Sequence, residues 1–493
     1  MSVQATADPA AAAPRGTAAR HGRRLAALVA GLGVVLGGCA SLAPHEPLPA
    51  APVPASWTQT APADDGQPAA ALAWRDYFTD PVLRQLIDTA LAHNRDLRLA
   101  VLRADQARAA FRIQRADALP GLGLGAQAAR ARVPGDLNLS GVSAVGGEYR
   151  AEVGLSSWEL DLWGRVRSLN EAALQQWLSG EAGRRAAELA LITQVAAGYV
   201  GLRESDERVA LARRTLATRQ EALRIFSRRE AVGSASRLEL TQVQALLSQA
   251  QVLLAQLEQT RAGRRHALEQ LVGAPSGVLP AAAPFDQTPA LAELAPGLPS
   301  ALLTARPDIV AAEHRLRAAE ADIGAARAAF FPRIALTGSW GSASAELDGL
   351  FESGSRAWTF VPTLSLPIFD GGRRRAHLDL ARLRRDGAVA EYEQSIQAAF
   401  REVADALAAR HWLAEQRDAL REALAAARER ARLARLRYEN GSAAYLEVLD
   451  AERDLLTAEQ QLVQALGALQ SSQIALYSAL GGGSQAAASA STR

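Results

Sequence analysis

The stretches Arg333-Ile334-Ala335-Leu336-Thr337-Gly338-Ser339-Trp340 and Trp358-Thr359-Phe360-Val361-Pro362-Thr363-Leu364-Ser365-Leu366 alternate polar and apolar residues with a period of two. That period marks a strand with one apolar face. Each stretch has the length of a membrane-spanning β-strand, about 9–11 residues. Weaker equivalents occur earlier, at Leu122/Leu124/Ala126/Ala128 and at Tyr149/Ala151/Val153/Leu155. The chain is therefore expected to supply four strands as two hairpins, at about residues 120–160 and 332–368. A soluble hairpin with one face on a core is the alternative. Against it, the outward faces carry Trp340, Trp358 and Phe360, and no other segment looks able to cover them. These three are the expected membrane-facing aromatics.

Four strands cannot stand in a bilayer alone, because their edge amides would be unsatisfied in hydrocarbon. The sheet must close, and closure calls for further copies of the chain. Two copies give eight strands, whose interior side chains fill; three give twelve, enough to begin to leave a lumen.

Each hairpin leads into a long proline-free interval rich in Ala, Leu, Arg, Glu and Gln. From 165 to 232 the chain can run as one helix, about 100 Å long at 1.5 Å per residue, and 373–439 repeats it. A Gly-Ser pair then breaks each helix, at Gly233-Ser234 and Gly441-Ser442, and a second helix returns. Helix pairs of this length with mixed-charge flanks read as coiled-coil packing. The two halves are one stretch written twice. Asp96 and Pro120 recur as Asp308 and Pro332, shifted by 212, while Gly164-Arg165, Gly233-Ser234 and Leu238-Glu239 recur as Gly372-Arg373, Gly441-Ser442 and Leu446-Glu447, shifted by 208. The offset changes once, inside the hairpin loop. The expected organisation is a first repeat over 71–272, a Pro/Ala-rich connector over 273–300, a second repeat over 301–480 and a disordered tail over 481–493.

At the N-terminus, Arg20, Arg23 and Arg24 precede an apolar run from Leu25 to Gly38 that ends in Leu36-Gly37-Gly38-Cys39. The run fits a secretory signal, with an apolar region of roughly 7–15 residues, rather than a membrane-spanning helix, which needs about 20. Residues 1–38 are the expected signal peptide. Cys39 ends the run as a lipobox would, and is the one cysteine of the chain. It is expected to carry covalent lipid, followed by a proline-rich tether over 39–70. Ala40 follows, not the aspartate that favours inner-membrane retention, so the expected destination is the outer membrane.

The 493 residues carry 54 basic and 52 acidic side chains, which gives no reason to expect nucleic acid as a partner. Seven histidines are scattered without ligand spacing, so no metal and no cofactor beyond the lipid is expected. No Ser/His/Asp grouping, G-x-S-x-G elbow or H-E-x-x-H spacing is present, which argues against an envelope enzyme.

Together the lipobox, the paired halves, Trp74-Arg75-Asp76-Tyr77-Phe78 with Asp80-Pro81, Arg306-Pro307-Asp308-Ile309, Leu366-Pro367-Ile368-Phe369-Asp370-Gly371-Gly372, and Arg437-Tyr438-Glu439-Asn440-Gly441 leading to Leu449-Asp450-Ala451-Glu452-Arg453 resemble the outer-membrane factor family, in its TolC-like, NodT-type lipoprotein branch. The resemblance spans about residues 36–483. It implies a mainly α chain with a transmembrane β-barrel, closed as a homotrimeric channel-tunnel in outer-membrane lipid. It also implies the exit duct of a tripartite efflux pump, with a periplasmic adaptor (membrane fusion) protein and an inner-membrane resistance-nodulation-division (RND) transporter. The outlet of a type I protein-secretion system is the alternative on the same fold.

The resemblance further implies a periplasmic gate just after Gly441. Leu446, Asp450 and Arg453 share a helix face at spacings of four and three, with Glu447 beside them. Leu446 would be the apolar constriction and Asp450 the acidic ring, with Arg453 and Tyr438 as the neighbours that latch it. Members outside this branch carry an arginine two residues after the glycine, where this chain has Ala443.

Overall fold

The computed structural model describes residues 42–44, 47, 67–275, 285, 291, 294–295 and 301–484. The expected signal peptide, Cys39, most of the tether and most of the connector lie outside them. By its internal contacts the chain divides into two compact units. One comprises Met1–Glu46, Ala110–Leu174 and Arg317–Arg385; the other comprises Pro47–Ala109, Gln175–Leu316 and Asp386–Arg493. Each unit draws on both sequence copies.

In chain order the elements are β1 (Gln67–Pro68), α1 (Trp74–Tyr77), α2 (Pro81–His93), α3 (Arg95–Ala116), β2 (Leu122–Val133), β3 (Ala144–Glu159), α4 (Arg165–Ala231), α5 (Arg237–Val272), β4 (Leu294–Ala295), α6 (Leu302–Ala305), α7 (Pro307–Ala328), β5 (Arg333–Ser344), β6 (Arg356–Ser365), α8 (Arg373–Glu439) and α9 (Tyr445–Ala479). Both α4 and α8 are 67 residues long.

The first unit holds a four-stranded antiparallel sheet in the order β2-β3-β5-β6. Its central pairing, β3 with β5, joins the two sequence copies. The register puts the alternating apolar residues on one face. Leu122, Leu124, Ala126 and Ala128 pair with Leu155, Val153, Ala151 and Tyr149. Ile334, Leu336, Gly338 and Trp340 pair with Leu364, Pro362, Phe360 and Trp358, and Val153 pairs with Trp340. The opposite face carries Gly125, Gln127, Glu152, Thr337, Ser339 and Thr359, with the Ser339 and Thr359 hydroxyls 2.9 Å apart.

A bulge between Leu155 and Trp158 keeps Trp158 on the apolar face, opposite Leu336. Ser157 takes the extra position there, with φ +27°, which costs backbone strain in a non-glycine residue. Near the β3–β5 centre the backbones come close at Gly341, where a Cβ would lie 2.1 Å from the Ala151 carbonyl oxygen. Trp340, Trp358 and Phe360 are 66%, 73% and 60% exposed in the single chain. Leaving such side chains in water forgoes roughly 1.5–3 kcal/mol each, so this face suits lipid. Among the described residues no helix is long and apolar enough to cross a membrane.

Residues 42–44, within the expected tether, pack on α7. Arg327 donates to the Leu42 carbonyl at 3.0 Å, and a Cβ at Gly324 would lie 2.8 Å from the Ala43 nitrogen.

The second unit holds the largest apolar core, built from α2, the middle of α4, the end of α5, α8 and the C-terminal half of α9. Tyr77 and Tyr477 stack within it, 4.4 Å apart and nearly parallel. Their hydroxyls donate to the carbonyls of Gln473 and Leu72 at 2.9 and 2.8 Å, and burial pushes both phenols well above their usual range. The buried Arg306 gathers Asp308, Glu402 at 2.7 Å and the Ala479 carbonyl at 3.0 Å, which is the structural work of the Arg-Pro-Asp motif. Gly481–Ser484, counted with the tail in the sequence, fold back instead: the Gly483 N–H donates to the Ala69 carbonyl at 2.9 Å.

Candidate functional site

The two helix-hairpin tips, α4–α5 and α8–α9, lie in the second unit and end in the same way. Gly233 and Gly441 sit at φ +74° and +71°, a left-handed conformation that a glycine adopts without strain. The Ser234 N–H reaches the Arg229 carbonyl at 2.7 Å, and the Ser442 N–H reaches that of Arg437 at 2.9 Å. Gly233 and Gly441 donate to Glu230 and Tyr438, completing a Schellman motif at each helix end.

The return helices then differ. Ser236 caps α5 reciprocally with Glu239: its hydroxyl accepts from the Glu239 N–H at 3.2 Å, and its own N–H donates to the Glu239 carboxylate at 2.7 Å. Those bonds from Ser236 hold the Glu239 carboxyl below the usual range. At the matching position α9 has Ala444, with no side-chain cap. Glu447, the counterpart of Glu239, instead pairs with Arg437.

Three faces of α9 are distinguishable at the tip. Leu449 is buried among Ala222, Phe226, Leu240 and Val243 of the first hairpin, and Tyr445 lies 4.5 Å from Phe226. Val448 and Ala451 pack on Ala431 and Ala434 of α8. The third face carries Leu446, 46% exposed, together with Asp450 and Arg453, which form an ion pair at 3.4 Å. The structure thus brings together the three residues that the spacing placed on one face, and among the described residues no other element covers that face.

The Tyr438 hydroxyl accepts from Arg229 of α4, so within the chain it ties the two hairpins together. A second tie was not anticipated at all. Arg219 of α4, only 4% exposed at its side chain, donates to Glu452 of α9 at 2.9 Å, and Arg435 of α8 binds the same carboxylate. Burial and then the Glu452 charge push the neighbouring Tyr445 phenol up. An open groove of about 500 Å³ runs beside these groups, lined by Arg214, Arg219, Arg428 and Arg435 among others. Glu452 was legible as a charge on a helix flank, but nothing local in the sequence announces a buried arginine more than two hundred residues away.

Among the described residues no group of His, Cys, Asp and Glu could hold a metal ion. The tips offer helix-to-helix ties and one exposed face that carries Leu446, Asp450 and Arg453.

Comparison with known proteins fits this architecture. The profile of the outer membrane efflux protein family matches residues 86–274 and 298–482. The chain belongs to that family. It is an outer-membrane efflux protein with a TolC-like channel fold, and not an enzyme. Outer membrane protein OprJ of Pseudomonas aeruginosa is 45% identical over 92% of this chain and 94% of its own length. Toluene efflux pump outer membrane protein TtgF of Pseudomonas putida is 44% identical over 92% of this chain and 95% of its own. Among solved structures, the open state of the Neisseria gonorrhoeae MtrE outer membrane channel aligns with a TM-score of 0.82 at 40% identity, covering 90% of this chain and 99% of that one.

Proposed function

We propose that this efflux protein is the exit duct of a tripartite pump, conducting drugs, solvents or other small toxic compounds passively from a periplasmic adaptor and an RND transporter to the outside. Relatives named for toluene and antibiotic efflux support this class of cargo. The observation that carries the reading is the four-stranded sheet, with one apolar face and two edges, β2 and β6, that are unpaired among the described residues. Three copies close it into a twelve-stranded barrel in which every edge is paired. Lipid on Cys39 adds a second hold on the membrane.

The duct shuts at the helix tips. The free face of α9 turns to the axis, Leu446 forms an apolar ring, and Asp450 with Arg453 forms a charged ring next to it. The ties Arg229–Tyr438 and Arg219–Glu452 keep the second hairpin against the first, and must break or shift for the tip to widen. Affinity purification from native membranes, followed by identification of the co-purified adaptor, tests the pump assignment. It should be paired with dye accumulation in cells lacking and regaining the gene. Accumulation unchanged by the gene, with no adaptor retained, would refute it.

A further inference from the structure

The apolar face of the sheet ends in arginines at its loop end. On β2, Arg130 and Arg132 continue the row Leu122, Leu124, Ala126 and Ala128, opposite Gly147 and Val145. On β6, Arg356 lies opposite Ser342, one alternation beyond the Trp358–Trp340 pair. All three are exposed. None forms an ion pair among the described residues; Arg132 donates to the Ser143 hydroxyl at 3.3 Å. The contrast with the opposite face is informative. There Arg150 pairs with both Glu148 and Glu152. Arginine is neutralised where the sheet faces a polar interior, and left without a carboxylate where the apolar face ends. A cation on the lipid face is costly at the bilayer midplane and close to neutral near the interface, so these positions mark the outer border of the hydrocarbon.

The strand order adds a second fact. β2 and β6 are the two edges of the sheet. Closure with further copies sets β6 of one copy beside β2 of the next, antiparallel because the four strands alternate in direction. Each seam then carries Arg130 and Arg132 from one copy and Arg356 from its neighbour. Positions 130 and 132 lie about 6.8 Å apart along the strand at 3.4 Å per residue. Guanidinium groups bind phosphate through paired N–H donors, which Lys cannot match.

We propose that each seam is a binding site for the headgroup phosphates of an anionic outer-leaflet lipid, a phosphorylated glycolipid of the lipid A type. The inference rests on the closed-barrel reading above. The bound lipid bridges two copies, so it fastens the seam as well as sitting on it.

The test is native mass spectrometry of the intact protein released from detergent, with bisphosphorylated lipid A added, dephosphorylated lipid A as a control, and inorganic phosphate as competitor. The expected result is a trimer that retains up to one bisphosphorylated lipid per seam, releases the dephosphorylated form, and is indifferent to free phosphate. In the variant combining Arg130→Gln, Arg132→Gln and Arg356→Gln, retention should fall about tenfold or more while the trimer mass persists. Arg356→Gln alone, the milder change should the triple variant assemble poorly, should give an intermediate loss. A trimer that holds lipid A equally well in the Arg356→Gln and triple variants would overturn the site alone. A folded monomer would remove the seam, and with it both the site and the closed barrel.

Discussion

Glu452→Gln is the perturbation that best separates the ties of the helix tip from its exposed charges. The Glu452 carboxylate is held by Arg219 and Arg435, and the Arg219 side chain is only 4% exposed. Removing that charge leaves a buried guanidinium without a counter-ion, a loss of about 3–5 kcal/mol in comparable sites. Arg219 recovers hydration if α4 and α9 part toward the open groove beside them, so the cost falls on the closed arrangement. A penalty of about 3 kcal/mol shifts a closed-to-open ratio by roughly a hundredfold, at 1.4 kcal/mol per factor of ten.

The Asp450–Arg453 pair provides the internal standard. Its side chains are 43% and 60% exposed, which puts its worth within one chain at about 0–1 kcal/mol. In planar bilayers the resting conductance of Glu452→Gln should therefore rise well above that of Asp450→Ala. Adding Arg219→Met should restore closure in part, since replacing a buried ion pair by apolar groups is often neutral. A Glu452→Gln trimer with parental resting conductance would refute the reasoning, and would place the seal on the Leu446–Asp450 face alone.

Other outcomes follow from the same contacts. Ala444→Ser gives α9 the cap that α5 has in Ser236, worth about 0.5–2 kcal/mol, and should slow amide hydrogen exchange at residues 446–448 several-fold; unchanged exchange would mean the cap does not limit fraying there. Gly341→Ala drives a Cβ into the Ala151 carbonyl, so β3 and β5 must shift apart at about 1–3 kcal/mol, read as earlier heat dissociation of the assembled barrel. Glu239 has a lowered folded-state pKa, so its contribution is complete above about pH 4.3, the unfolded value, and is lost as the pH falls through the lowered one. The N-terminus of α5 should fray in acid, and Glu239→Gln should abolish that pH dependence without restoring the full neutral-pH stability.

Much of this fold is written in local patterns. The period-two rows from Leu122 to Ala128 and from Tyr149 to Leu155 pair residue for residue in the structure, because alternation, face and register are one constraint in a sheet with a single apolar side. Both long helices run for 67 residues, starting beside Asp161 and Asp370, whose carboxylates accept from the first helical N–H groups, and ending at Gly233 and Gly441. Caps and breakers act within a few residues, so a sequence displays them.

What it does not display are contacts set by packing of distant segments. The Ser157 bulge, the Tyr77–Tyr477 stack, the return of Gly481–Ser484, and the Arg219–Glu452 and Arg229–Tyr438 ties all join positions whose neighbourhood only the folded chain creates. The shared face of Leu446, Asp450 and Arg453 was readable from helical spacing. That it is the face of α9 left over after Leu449 and Val448 are buried was not.

The central claim is that the sheet's two edges are satisfied by other copies of this chain. The mass of the detergent-solubilised protein, measured by multi-angle light scattering on a folded sample, tests it most directly. The account predicts three chains per particle. A stable, fully folded monomer with its β-content intact would contradict it.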